Sequence, residues 1–416
     1  MKGKLLKILI AVFAVALIAP AFSAVENVKV GGDIAIYGVL RGDFDIANKN
    51  EDIHFFQTSA RVYISADLSN NVSTMIRLIN ERNWDAEDVA STDVDLDVGY
   101  IQVKDLLTPG LNLTVGRQEI QLGEGLVVGS RYNAYTYPVD IKVKAADLQL
   151  RKAFDAVKLD YKASNIPLSV TAFLSKLNEK YLDDKGEKTL YGLNLGYKIA
   201  EIADLEVYYV RDITDSSPKK DKLDTAGIRV VSKIPALENL NLKGEYAKQF
   251  GEDSTGADYE GSALLVGGSY KLSGKMEPAI KVNYLLLSGN DSLTKNENWV
   301  DVAPSNIGSR IGPLFYAYDA YNGSNTNGLK VLNLGLSLKP VEKLALSVDG
   351  YLLKSDEKVG AYDDIGTEIT IGLEYKQTED LTLGLTLSKL LADDLIEKGL
   401  GGDDAWQAIA SMKLAF

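Results

Sequence analysis

Apolar and polar residues trade places at every second position through most of this chain. From Asp33 onward Ile34, Ile36, Gly38, Leu40, Gly42, Phe44 and Ile46 share one face of an extended segment, and Asp33, Tyr37, Arg41, Asp43 and Asp45 share the other. Strand side chains alternate with period two, so the pattern predicts a strand with one greasy and one hydrophilic surface. After a loop from Ala47 to Asp52, Thr58, Ala60, Val62, Ile64, Ala66 and Leu68 alternate with Gln57, Ser59, Arg61, Tyr63, Ser65 and Asp67. Ser69, Asn70 and Asn71 then supply a tight polar turn, and Val72 to Asn83 returns with Arg77 and Glu81 on its polar side.

The same hairpin recurs to the end of the chain, and its two ends differ consistently. Short connections fall at 69–71, 105–110, 163–167, 199–204, 233–239, 273–278, 339–343 and 377–380; longer polar segments lie between them, at 176–188, 212–222, 249–259, 289–328, 354–365 and 389–403. Such order predicts a transmembrane antiparallel up-and-down β-barrel of about 18 strands, 16 on softer boundaries, with one short-turn and one long-loop rim. Two segments break the alternation: 123–152, either a loop folded into the lumen or strands projecting above the membrane, and 289–328, rich in Asn and Gly. The last strand places Trp406, Ala408, Ala410, Met412, Leu414 and Phe416 on one face and Gln407, Ser411 and Lys413 on the other. It reads as the strand that closes an outer-membrane barrel, the alternative being an edge strand of a soluble sheet. Tyr161, Tyr197 and Tyr375 sit on apolar faces beside short connections, where an interfacial aromatic girdle would lie.

The first residues set the compartment. Lys2, Lys4 and Lys7 precede an apolar run from Ile8 to Ala19, and Ala21 and Ser23 flank Phe22, so residues 1–23 are expected to be a cleavable signal peptide and 24–416 a single barrel domain. No later stretch approaches the ~20 apolar residues of a membrane-spanning helix. Cysteine is absent, which removes disulfides and thiolate sites. The 45 basic and 58 acidic residues give a net charge of −13, or −16 without the three leading lysines, and a nucleic-acid partner is excluded on that balance.

Gly116, Arg117 and Gln118, then Gly123, Gly125, Gly129 and Ser130, and the run from Ala153 to Leu159 resemble the alginate-export family of outer-membrane channels. Ser288, Gly289 and Asn290, then Pro313, Leu314 and Phe315, and Gly366, Thr367, Glu368 and Ile369 are similar to further marks of that family. The resemblance implies a monomeric many-stranded barrel whose arginine-rich lumen passes an anionic polysaccharide. Leu126 follows Gly125 where the family commonly has a basic residue, so the substrate does not transfer with the fold.

The polar faces nominate pore-lining residues: Arg41, Arg61, Arg77, Glu81, Arg117, Lys158, Arg229, Lys243, Glu245, Lys281, Glu368 and Glu374. Turned outward, an Arg or Lys at the membrane midplane would cost ~2–4 kcal/mol, so whole faces are assigned inward. Charges of one sign would select the opposite ion, whereas mixed signs on facing strands would brace the wall as ladders. Arg117 and Glu119 could equally flank a bulge beside Gly116.

These features predict a non-enzymatic outer-membrane porin of a Gram-negative-type bacterium, passing small hydrophilic solutes or an anionic saccharide by passive diffusion, with no cofactor and no metal. Its expected partners are outer-membrane lipid, the solutes themselves and the barrel-assembly machinery, engaged through the strand ending at Phe416. Two alternatives remain at this level. One is a barrel enzyme with a rim site at His54, the sole histidine, placed in the first external loop near Asp52. The other is a plugged structural or adhesive barrel. Asp183–Asp184, Asp363–Asp364 and Asp403–Asp404 fall in long loops and read as solvated tips rather than a calcium cage.

Overall fold

The alternating segments join edge to edge into a single closed sheet. The computed structural model describes residues 26–46, 52–84, 94–130, 146–178, 186–215, 219–234, 237–305, 307–322 and 326–416; the expected signal peptide lies outside them. In chain order the strands are β1 (Glu26–Gly42), β2 (Ile53–Asp67), β3 (Val72–Asn83), β4 (Asp95–Val103), β5 (Leu111–Gln118), β6 (Phe154–Lys162), β7 (Leu168–Asn178), β8 (Lys188–Ile199), β9 (Ala203–Thr214) and β10 (Asp221–Lys233). They continue as β11 (Leu240–Glu252), β12 (Asp258–Tyr259), β13 (Ser262–Lys271), β14 (Ala279–Leu287), β15 (Lys295–Asn296), β16 (Leu329–Val341), β17 (Leu344–Val359), β18 (Tyr362–Lys376), β19 (Leu381–Ala392) and β20 (Ala405–Ala415). β12 and β15 are two-residue ladders between loops; the other eighteen form the wall, each antiparallel to its neighbours.

The wall closes where β1 pairs with β20, from Asp33 opposite Ala415 to Gly42 opposite Trp406. At the seam Gly32 N–H donates to the Phe416 carbonyl at 2.9 Å, Phe416 N–H donates to the Gly32 carbonyl at 3.0 Å, and Arg41 Nε reaches Gln407 Oε1 at 3.3 Å. Hydrocarbon cannot satisfy free backbone groups, so a sheet inside a bilayer must have no edge. Val62, Ile76, Val207, Ile228, Val282, Leu334, Ile371 and Leu387 lie exposed on the outer face, a surface that fits lipid and not water. Tyr161, Tyr197 and Tyr375 end the outer faces of β6, β8 and β18 beside the short turns.

Several sequence expectations are corrected at the long-loop rim. Asp43 adopts φ 52°, which breaks the parity after β1. Phe44 therefore turns inward, fully buried with its ring 5.7 Å from that of Tyr318, instead of continuing the lipid face. His54 is not in a loop: it is the second residue of β2, opposite Leu40, exposed on the outer face. The 354–365 segment is a hairpin extension in which Val359 pairs with Tyr362. The 389–403 segment holds the end of β19 and a π-helix, Leu395–Leu400, that buries Leu395 and Ile396.

The apolar core lies inside the barrel, in its long-loop half. At the upper ends of the strands the inward positions become apolar, as at Phe154, Leu190, Val210, Leu265, Leu353 and Leu390, and loop residues pack against them. One inward segment contributes Ile120, Leu122, Leu126, Val127 and Val128; a second brings Trp299 and Val302, then Ile311 on a short helix α1 (Gly308–Ile311) and Leu314, Phe315 and Tyr318 on α2 (Pro313–Asn322). The two segments are stitched by Ala303 N–H to the Val127 carbonyl at 3.0 Å and Ser305 N–H to the Gly125 carbonyl at 2.9 Å. Gly129 is obligatory here, because a Cβ would come within 2.2 Å of Ser305 Oγ. Of the two readings of 123–152, the described part therefore follows the loop folded into the lumen.

Candidate functional site: the lumen constriction

Glu124 stands at the tip of the first inward segment. Its Oε1 accepts from Arg229 Nε at 2.9 Å and Nη2 at 2.6 Å, and its Oε2 accepts from Lys243 Nζ at 2.8 Å. Burial alone would raise the Glu124 carboxyl, but hydrogen bonds from Lys243 and Arg229 outweigh it and hold the group below the usual carboxylate range. Its backbone is gripped separately: Glu124 N–H donates to Glu245 Oε2 at 2.7 Å, and the Arg310 guanidinium donates to its carbonyl. Gly123, with φ +55°, lets the chain approach, since a Cβ there would lie 2.7 Å from the Glu245 carboxylate.

Glu368 does the same for the second segment. From β18 its carboxylate accepts Leu314 N–H at 3.1 Å, Phe315 N–H at 2.7 Å and the Thr370 hydroxyl at 2.7 Å. These amides open α2, where backbone donors lack intrahelical partners and the helix dipole favours negative charge. Two wall carboxylates, Glu245 and Glu368, thus anchor the two segments that narrow the lumen.

Between these segments and the β10–β14 wall lies a cavity of about 490 Å³ lined by Glu124, Arg229, Lys243, Lys281, Asn283 and Arg310. A second cavity of about 750 Å³ continues toward the short-turn rim, and Lys281 and Ser309 line both. Small side chains open this lower space: Ser337, Ser347, Gly372, Gly384, Thr386 and Ser411 line it, together with Glu374 and Lys413.

The remaining sequence candidates point into the lumen as members of ion pairs. Arg41 meets Asp147 at 2.6 Å, Arg61 meets Asp33 at 3.0 Å, and Arg77 meets Asp97 at 2.5 Å and also Glu119. Glu81 meets Arg151 at 3.1 Å, Lys158 meets Asp160 at 3.1 Å, Arg229 also meets Glu206 at 2.6 Å, and Lys281 meets Asp349 at 2.8 Å. Arg117 requires correction. It shares the parity of Val115 and, opposite Gly99 and Asp155, faces outward near the long-loop rim, paired with Asp155 at 3.1 Å. A charge there escapes the midplane penalty because it stands above the hydrocarbon.

Sequence reading missed Glu124, Arg310, Asp147 and Arg151, because period-two alternation says nothing about residues on loops. The one available signal was Glu124 between Gly123 and Gly125, a charged side chain on a backbone able to turn sharply. Asp364 and Asp404 are engaged by Lys354 and Lys389, and among the described residues no group of acidic or histidine side chains is gathered to hold a metal.

A closed barrel, lipid-facing outside and lined with charge around a narrowed passage, is an outer-membrane porin channel. The chain belongs to the alginate export family, whose model matches residues 27–352. In solved structures it is similar to OccK3 (OpdO) of Pseudomonas aeruginosa, 12% identical over 93% of this chain and 96% of that one with a TM-score of 0.61. It is also similar to OccAB1 of Acinetobacter baumannii, 13% identical over 94% and 97% with a TM-score of 0.62, and to OccK5 (OpdH) of P. aeruginosa, 13% identical over 94% and 99% with a TM-score of 0.61. At these identities the likeness is one of fold. No curated protein sequence matches the chain.

Proposed function

We propose that this porin passes small hydrophilic solutes by passive diffusion and prefers anionic ones, sugar acids included. The supporting observation is the composition of the narrow cavity, where Arg229, Lys243, Lys281 and Arg310 face one lining carboxylate, Glu124. Rings of one sign attract the opposite ion. Arg229 and Lys281 are also held by Glu206 and Asp349 beside the cavity, and elsewhere the lining cations are matched by carboxylates that brace the wall, so the preference is local and modest. A dedicated path for an extended polyanion would need basic residues unmatched along its length. His54 stands on the lipid side of β2, away from both cavities, and this reading gives it no catalytic role.

Reversal potentials of the refolded protein across a potassium chloride gradient should report a chloride preference, weaker in Lys243→Gln. A potassium preference, or no change in that variant, removes the anionic reading. Uronate oligomers should block the current more than neutral sugars of equal size.

β20 leaves Phe416 61% exposed at the seam, an apolar side chain suited to capture by the barrel-assembly machinery before closure. Phe416→Ala is expected to slow insertion into proteoliposomes carrying that machinery while leaving spontaneous folding in detergent unchanged. Equal insertion rates would rule this role out.

A further inference from the structure

A set of ion pairs faces outward around the barrel at one height. Lys330 meets Asp356 at 2.8 Å, Lys354 meets Asp364 at 2.5 Å, Lys389 meets Asp404 at 3.2 Å, Arg211 meets Asp224 at 2.6 Å, and Lys176 meets Glu187. The height follows from the outward residues beneath each cation. Below Lys330 they are Leu332, Leu334, Leu336 and Leu338; below Lys389 they are Leu387, Leu385, Leu383 and Leu381. Below Lys176 they are Leu174, Ala172, Val170 and Leu168, and below Arg211 they are Tyr209, Val207, Leu205 and Ala203. Lys176, Arg211 and Lys389 therefore stand four outward places above the short-turn end of their strands, and Lys330 five, counting Val341 past a bulge. With two residues rising roughly 6.7 Å along a tilted strand, that is on the order of 20 Å, close to the height of the apolar band of such barrels. Lys354 lies directly across from Lys330 and shares its level.

The pairs are not symmetric in exposure. The cation sides of Lys330, Lys354, Lys389 and Arg211 are 40%, 56%, 56% and 45% exposed, against 17%, 42%, 39% and 7% for their carboxylates. What meets the membrane boundary is thus the ammonium or guanidinium, with the carboxylate behind it holding its direction. Ammonium and guanidinium groups at a lipid boundary bind phosphate through charge-assisted hydrogen bonds.

We propose that this girdle binds the phosphate groups of a multiply phosphorylated glycolipid in the outward-facing leaflet. The inference is independent of the cargo, because none of these side chains lines either lumen cavity. Zwitterionic phospholipid is the weaker ligand, since each of its phosphates carries its own ammonium.

The full barrel, reconstituted with bis-phosphorylated lipid A, with the same lipid dephosphorylated or with phosphatidylcholine, would be stripped in detergent and the retained lipid counted by native mass spectrometry. The bis-phosphorylated form is expected to be retained about tenfold more than either of the others, and the combined variant R211Q/K330Q/K354Q/K389Q to lose that excess. The matching Lys→Arg variant should keep it, and millimolar inorganic phosphate should not replace it, which separates a headgroup site from a simple anion site. Single-channel conductance should be the same in all variants, which verifies that the wall has assembled. Should the fourfold variant fail to assemble, K354Q and K389Q singly should each lower retention. Equal retention of phosphorylated and dephosphorylated lipid, or undiminished retention in the glutamine variants, overturns the proposal.

Discussion

Replacing Glu368 with alanine is expected to turn a narrow channel into a wider and noisier one. The carboxylate is fully buried and accepts two backbone amides at the start of α2. Its removal leaves those amides without partners, at ~1–3 kcal/mol for each buried donor, and withdraws a negative charge from the positive end of the helix. The wall should survive, because β18 keeps its backbone ladders to β17 and β19. The second inward segment then loses its attachment and samples positions away from the wall. Single-channel recordings should show a severalfold rise in conductance with frequent transitions, and Glu368→Gln should fall between, since its amide oxygen retains one acceptor. Conductance identical to the parent would mean that packing of Leu314, Phe315 and Tyr318 alone keeps the segment in place.

Glu124→Gln should shift selectivity without moving the loop. Glutamine preserves shape, and the backbone contacts to Glu245 and Arg310 do not involve the carboxylate. What changes is the charge balance of a cavity with four cations and one carboxylate. Removing one charge near a permeating ion at protein-surface dielectric alters its energy by on the order of 1 kcal/mol, about fivefold in the chloride-to-potassium ratio, and less in concentrated salt. The pH dependence has a definite sign. Because the folded-state pKa lies below the ordinary 4.5, the latch is fully formed above that value and is lost only as the pH falls through the lower one. Selectivity of the parent should therefore be flat from neutral to mildly acidic pH and approach that of the glutamine variant in stronger acid. A parent whose selectivity drifts between pH 7 and 5 would assign control to another group.

The strands were legible because hydrocarbon enforces a rule along their whole length: an outward residue must be apolar, and parity fixes all its neighbours. That is why Arg41, Arg229, Lys243 and Lys281 could be turned inward from the sequence. The rule ends with the hydrocarbon. Arg117 was misassigned where an outward charge costs little, and Phe44 was misassigned because Asp43 enters the left-handed region and resets the parity. Inside the lumen no comparable rule operates. Leu126, Trp299 and Phe315 look like scattered apolar residues in polar loops, and only their contacts with inward wall positions such as Leu265 and Leu353 make them a core. The constriction was hidden for the same reason.

The seam between β1 and β20 also bears on how the molecule comes into being. Arg41 and Gln407, which touch across it, are 366 residues apart in the chain. No contact of that span can form until β20 has been made and exported, so the nascent polypeptide carries two unpaired borders until that strand arrives. A premature stop anywhere upstream would spare most hairpins and yet leave a molecule with no tolerable resting place in a bilayer. Completion, rather than gradual accretion, decides whether a copy survives.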